Sequence, residues 1–114
     1  MRTNFKMEDN NITMTKGDTL SFNVIVTDQN GNAITVDSAD FTCKKLATDE
    51  VSVFHKSLGA GISQDDSVLT VRVAPDDTKN VDAGLYFYDC QISKNGDVIT
   101  ILKGLITLQQ DVTF

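Results

Sequence analysis

The sequence predicts an all-β fold, with seven or eight strands in two antiparallel sheets packed face to face. Three observations predict it. Val, Ile, Thr, Phe and Tyr recur in short runs with a period of two, the alternation of strands with one buried and one wet face. Turn residues interrupt the runs about every 8–12 positions. Fourteen of the sixteen acidic residues are Asp, whose short carboxylate bonds nearby backbone and favours turns.

With 114 residues the chain reads as one domain over 1–114, large enough to bury roughly two-thirds of its extended surface without metal or disulfide. An apolar fraction of 40% is too high for a disordered chain. No apolar run approaches the ~20 residues of a membrane helix. The opening MRTNFKMEDN lacks an apolar core, so no secretory signal is expected. The net charge of −6 opposes phosphate backbones and anionic membranes. Lys44–Lys45 is the only adjacent basic pair, and on a strand its side chains point to opposite faces.

The elements follow in order. Asn11–Thr15 is a short first strand, broken by Gly17–Asp18. In Thr19–Thr27, Leu20, Phe22, Val24 and Val26 share one face, with Ser21, Asn23 and Thr27 on the other and Ile25 as the exception. Asn30-Gly31 is a tight-turn signal, because both residues tolerate positive φ. Phe41–Leu46 and Val51–Lys56 are the next strands, around a polar turn at 47–50, and Leu58–Asp66 is expected as a loop. Val68–Ala74 places Leu69, Val71 and Val73 toward the core; Pro75 ends it and opens one helical turn over 75–80. Gly84–Ser93 is the longest well-alternating strand, with Tyr86, Tyr88, Cys90 and Ile92 on one face. Asn95-Gly96 turns the chain into Asp97–Leu108, whose phase slips near Gly104 and predicts a bulge there.

Reactive chemistry is sparse. Cys43 and Cys90 lie within apolar runs and read as buried free thiols, with a cross-strand disulfide as the alternative. His55 is the single histidine; mid-strand and without an orienting partner in the sequence, it reads as packed or surface. Asp65–Asp66 and Asp76–Asp77 could serve as acid and base or as Ca²⁺ ligands, but without a Ca²⁺-loop pattern they read as solvated turn carboxylates. The glycines form no phosphate-binding pattern, and no cofactor is implied. Asn11-Ile12-Thr13 is a formal glycosylation sequon with no sign of the route that would use it. Phe87 points away from the face of Tyr86 and Tyr88, a single apolar residue on an otherwise polar face and a possible partner contact.

Residues 82–86, Asp-Ala-Gly-Leu-Tyr, resemble the D-x-G-x-Y stretch that opens strand F of immunoglobulin-like sandwiches. The resemblance implies structural roles for Asp82, Gly84 and Tyr86, with the tyrosine hydroxyl reaching back to backbone. Tyr88 stands where true immunoglobulins carry a cysteine, and the chain has no Trp, so the disulfide-pinned domain is excluded while the topology survives. A broader resemblance spans nearly the whole chain. The segment Ile12-Thr13-Met14-Thr15-Lys16-Gly17-Asp18-Thr19, the turn at Asp28–Gly31, the run Gly84–Gln91, the turn Asn95-Gly96-Asp97 and the stretch Thr100 to Gly104 follow the order seen in a phage structural domain. By these features the chain is similar to the N-terminal domain of phage upper baseplate proteins, or to a related tail or neck accessory protein.

The resemblance implies an immunoglobulin-like antiparallel β-sandwich acting as a non-enzymatic phage or prophage virion protein. Its partners would be other virion proteins and further copies of itself, with no nucleic acid and no membrane, assembled in the reducing bacterial cytoplasm. The alternative is a bacterial surface or adhesion-type module that binds carbohydrate; an enzyme is the third reading and would need a cleft with convergent carboxylates.

Overall fold

The computed structural model describes residues 5–8, 10–46 and 48–110, and gives side chains for 10–46 and 48–110. Residues 1–4 and 9 of the opening segment read for a leader, and position 47 of the turn at 47–50, lie outside the described residues. The elements are β1 (Phe5–Glu8), β2 (Asn11–Thr15), β3 (Leu20–Ile25), β4 (Ser38–Lys44), β5 (Phe54–Leu58), β6 (Gly61–Asp65), β7 (Val68–Val73), the single-turn α1 (Pro75–Thr78), β8 (Gly84–Lys94) and β9 (Asp97–Gln109).

The strands form one hydrogen-bonded ladder in the order β1-β2-β9-β8-β4-β5-β6-β7-β3. Phe22 of β3 and Phe41 of β4 stand four places apart in it, about 19 Å if the sheet were flat. Their rings nevertheless meet edge to face with centroids 5.6 Å apart, so the ladder folds back on itself. The result is an immunoglobulin-like β-sandwich: β4-β8-β9 takes the C-F-G order of one layer and β3-β7-β6 the B-E-D order of the other.

The core follows from alternation. Leu20, Leu69, Val71 and Val73 from one layer, and Phe41, Cys43, Tyr86, Tyr88, Cys90, Ile92, Ile106 and Leu108 from the other, are all buried. Ile25, the exception in its strand, is 71% exposed. Phe41 is the hub: besides Phe22, its ring lies 6.0 Å from Phe54 and 5.3 Å from Tyr88. Truncating such a residue to alanine costs about 4 kcal/mol.

Four expectations need correction. Residues 58–66 are not a loop: the chain turns at Gly59 and Ala60 and re-enters the ladder as β6, whose Ile62 is buried against β7. The ladder is not wholly antiparallel, since β2 runs parallel to β9 and β5 parallel to β6. Residues 16–96 lie between β2 and β9, ample length for the crossover that extended parallel pairing requires, whereas the β5–β6 contact is only the short pairing of Ser57 and Leu58 with Gly61 and Ile62 across the Gly59–Ala60 kink. The central strands sit earlier or later than expected, at Ser38–Lys44 and Phe54–Leu58, because register with β8 and with each other sets their ends. Finally, the register shift in the β8–β9 pair falls between Cys90 and Gln91, opposite Ile101, rather than at Gly104.

One end of the sandwich is stopped by α1. Thr78 is fully buried and its Oγ1 accepts the Gly17 N–H at 2.8 Å. Lys56 occupies an inward position of β5, paired with Phe41 across the strands. Its ammonium reaches Asp77 Oδ2 at 2.6 Å, and the same oxygen accepts the Ala74 N–H at 2.7 Å. The Lys56 stem lies over Gly61, where a Cβ would stand 2.5 Å from Lys56 Cδ. Asp77 is thus a structural cap and ion-pair partner, not a solvated turn carboxylate, whereas Asp76 meets only the exposed Lys79.

Candidate functional site

The β8 strand carries Gly84, Tyr86, Phe87 and Tyr88, with Asp82 just ahead of it, and alternation sends its side chains to two different places. Inward, Tyr86 donates its hydroxyl to the Asp82 carbonyl at 2.7 Å, closing the turn before β8. The Asp82 side chain itself is exposed; its backbone does the work. Gly84 sits between them at φ 150°, below the Lys45 ammonium, which stands 4.7 Å over the Tyr86 ring. Burial, with the Asp82 charge nearby, pushes the Tyr86 phenol up.

Tyr88 reaches further. Its hydroxyl donates to the backbone carbonyl of Asn10, just ahead of β2. The adjoining Asn11 accepts the Leu105 N–H on its Oδ1 at 3.1 Å, and the Lys16 N–H donates to the Gln109 carbonyl at 3.0 Å. These bonds bracket the parallel run Ile12–Thr15 against Ile106–Gln109 and tie the start of the chain to its last strand. Burial pushes the Tyr88 phenol up to about 12.

Outward, Leu85 is 49% and Phe87 39% exposed. Phe87 is not a lone apolar residue: Leu85 shares its face two residues away, and Leu105 stands directly opposite it on β9. Across β4 its neighbour is Lys44. The next cross-strand row reads His55, Thr42, Asp89, Lys103 from β5 to β9. Together Thr42, Lys44, Phe87, Asp89, Gln91, Lys103 and Leu105 line a shallow open groove of about 720 Å³ on the outer face. Tyrosine hydrogen bonds on one side of β8 thus hold in place the strand that displays Phe87 on the other.

The remaining reactive groups are placed elsewhere. His55 has a partner that the sequence did not reveal: register brings Asp40 to it, with Nε2 2.8 Å from Oδ1 and both side chains 44% exposed. Cys43 and Cys90 are buried free thiols on neighbouring strands. Cys43 pairs with Tyr88 and Cys90 with Phe41, a diagonal arrangement. Burial raises the two thiols to about 12 and about 11, respectively. Among the described residues no three of His, Cys, Asp and Glu gather as metal ligands, and no helix is long and apolar enough to cross a membrane.

Sequence reasoning found Phe87 by strand parity but missed Leu85, although the same parity places it on that face. It also missed Lys44, Leu105 and Lys103, which no local signal joins to Phe87. No protein-family model matches this chain, and no curated protein matches it either.

Proposed function

We propose that this chain is a non-enzymatic structural protein of a phage or prophage virion, a baseplate, tail or neck component. It docks to other virion proteins through the outer face of β4, β8 and β9. The observation that carries this reading is the exposed Leu85–Phe87 pair, backed by Leu105 on a face held by the hydrogen bonds of Tyr86 and Tyr88. An apolar centre with a polar and charged rim on a rigid sheet is the anatomy of a docking surface. The adjoining stretch of β9 adds to it: Val98 is 66% and Ile99 52% exposed, on a part of the strand that β2 does not reach. Sheet edges of this kind accept neighbouring strands. The resemblance of its strand and turn order to phage baseplate domains supports the virion reading.

The test is the composition of purified particles. Mass spectrometry of virions produced by the encoding phage or induced prophage should find this chain in fixed ratio to the tail proteins. Its absence from intact particles overturns the reading.

A second reading, a carbohydrate-binding surface module, is favoured by one observation: Thr42, Asp89 and Gln91 flank the half-exposed Phe87 ring in the groove. A glycan array separates the two, since sugar binding abolished by Phe87→Ala would favour this second reading.

A further inference from the structure

We infer that the diagonal Lys44–Phe87–Lys103 cluster receives an acidic, extended segment of a partner protein, which seats an apolar side chain on Phe87 and a carboxylate on each lysine. This rests on the docking reading above and specifies the chemistry of the partner.

Charge complementarity carries the inference. The chain bears a net charge of −6, yet two of its lysines, Lys44 and Lys103, converge on this one groove. Lys56 is held by Asp77, Lys79 by Asp76, and Lys45 lies over Tyr86. Among the described residues neither Lys44 nor Lys103 has an ion-pair partner, although Asp89 stands opposite Lys103 in the ladder. The groove therefore offers two uncommitted ammonium groups against one carboxylate, around the exposed ring. A locally basic groove attracts carboxylates at short range even on a protein whose net charge is negative.

Geometry narrows the ligand. Lys44 is the direct cross-strand neighbour of Phe87 on one side, and Lys103 lies diagonally beyond it on the other. Two strand spacings and one two-residue step separate the lysine backbones by about 12 Å. In an extended peptide, residues i, i+2 and i+4 share a face and span about 13 Å. An acid–x–aromatic–x–acid sequence thus spans the two lysines, its central side chain falling between Phe87 and Asp89 and within reach of the Phe87 ring.

The experiment uses the ¹⁵N-labelled chain and two synthetic peptides, acetyl-Ser-Asp-Thr-Phe-Thr-Asp-Ser-amide and its counterpart with Lys in place of both Asp. The acidic peptide should shift the amide signals of Lys44, Phe87 and Lys103, and bind at least about tenfold tighter than the basic one. Raising the salt should weaken it. The double variant Lys44→Glu, Lys103→Glu, at exposed sheet positions and checked by an unchanged spread of amide signals, should reverse the preference. Equal response to both peptides, shifts confined to another face, or a preference unmoved by the charge reversal would overturn the inference. So would a response at these residues to oligogalacturonate with none to the acidic peptide, which would reassign the lysines to an anionic sugar. If the chain is present in particles but the peptide does not bind, the virion reading stands and this partner chemistry falls; the opposite pair of results separates them the other way.

Discussion

The backbone carbonyl of Asn10 lies against Gly104, in the space a side chain on residue 104 would occupy: a Cβ built there would overlap that oxygen. This close approach explains the glycine, which the sequence had suggested marks a bulge. Gly104→Ala must push β2 away from β9, straining the Tyr88–Asn10 and Leu105–Asn11 hydrogen bonds together. It should destabilise the protein by about 3 kcal/mol, read as a lowered denaturant midpoint at unchanged slope. Gly96→Ala is the control. Gly96 has φ 87° with nothing within 4 Å of the added methyl, so only the backbone penalty of about 1 kcal/mol applies. Equal costs for the two would show that contact with Asn10 is not what fixes residue 104.

The two tyrosine hydroxyls can be told apart by what each holds. Tyr86→Phe removes a bond that spans four residues and should cost about 1 kcal/mol. Tyr88→Phe frees the carbonyl of Asn10, 78 residues away in sequence. Its effect should be local as well as global: amide exchange at Ile12 and Met14 should speed up more than exchange at Val71 in β7. Uniform acceleration across both layers would argue against a lock specific to β2.

How much could be read in advance depended on whether a signal was local. The inward faces of β7 and β8 were legible because their apolar residues keep a strict period of two. β6 was not: Ile62 is the only apolar residue in Gly-Ile-Ser-Gln-Asp, and flanking glycines made the stretch read as loop. Its place in the fold comes from pairing with β7, which no window of that length contains. Phe87 was legible from parity along its own strand. The nearness of Lys44, Leu105 and Lys103 to it was not, because that depends on registers across three strands and on the shift opposite Ile101. The His55–Asp40 pair was hidden for the same reason.

Lys56 is a charged residue in the inward phase of β5, and what satisfies it lies far away in the sequence. Its side chain is only 17% exposed, and that of Asp77 20%. Asp77→Ala leaves a largely buried ammonium unpaired and the Ala74 N–H without its acceptor, and should cost about 2 kcal/mol. Asp77→Asn retains an acceptor for Ala74 and should cost about half as much. Lys56→Met removes the buried charge and should be the mildest of the three, because Asp77 keeps its backbone bond. A Lys56→Met variant less stable than Asp77→Ala in urea unfolding would show that the pair, rather than the stranded lysine, sets the energy.

Alkali should unfold this protein in a graded way that its buried thiols and phenols dictate. Burial raises Cys43 from 9.0 to about 12, Cys90 from 9.0 to about 11 and Tyr88 from 10.0 to about 12. In the unfolded chain these groups lose protons at their ordinary values, while in the folded protein they keep them. Above pH 9 the unfolded state therefore binds fewer protons, and stability falls as pH rises. The contribution of each group is intact below its unfolded value and is lost by its folded one. The slope is roughly 1.4 kcal/mol per pH unit for each group in its window, so loss begins near pH 9 with the thiols and steepens near pH 10 as Tyr88 joins. Urea midpoints between pH 8 and 11 should trace that curve. In the double variant Cys43→Ala, Cys90→Ala the onset should move up to about pH 10, whatever stability the smaller side chains remove at neutral pH. An onset unchanged by removing both thiols would mean that other groups govern the alkaline limb.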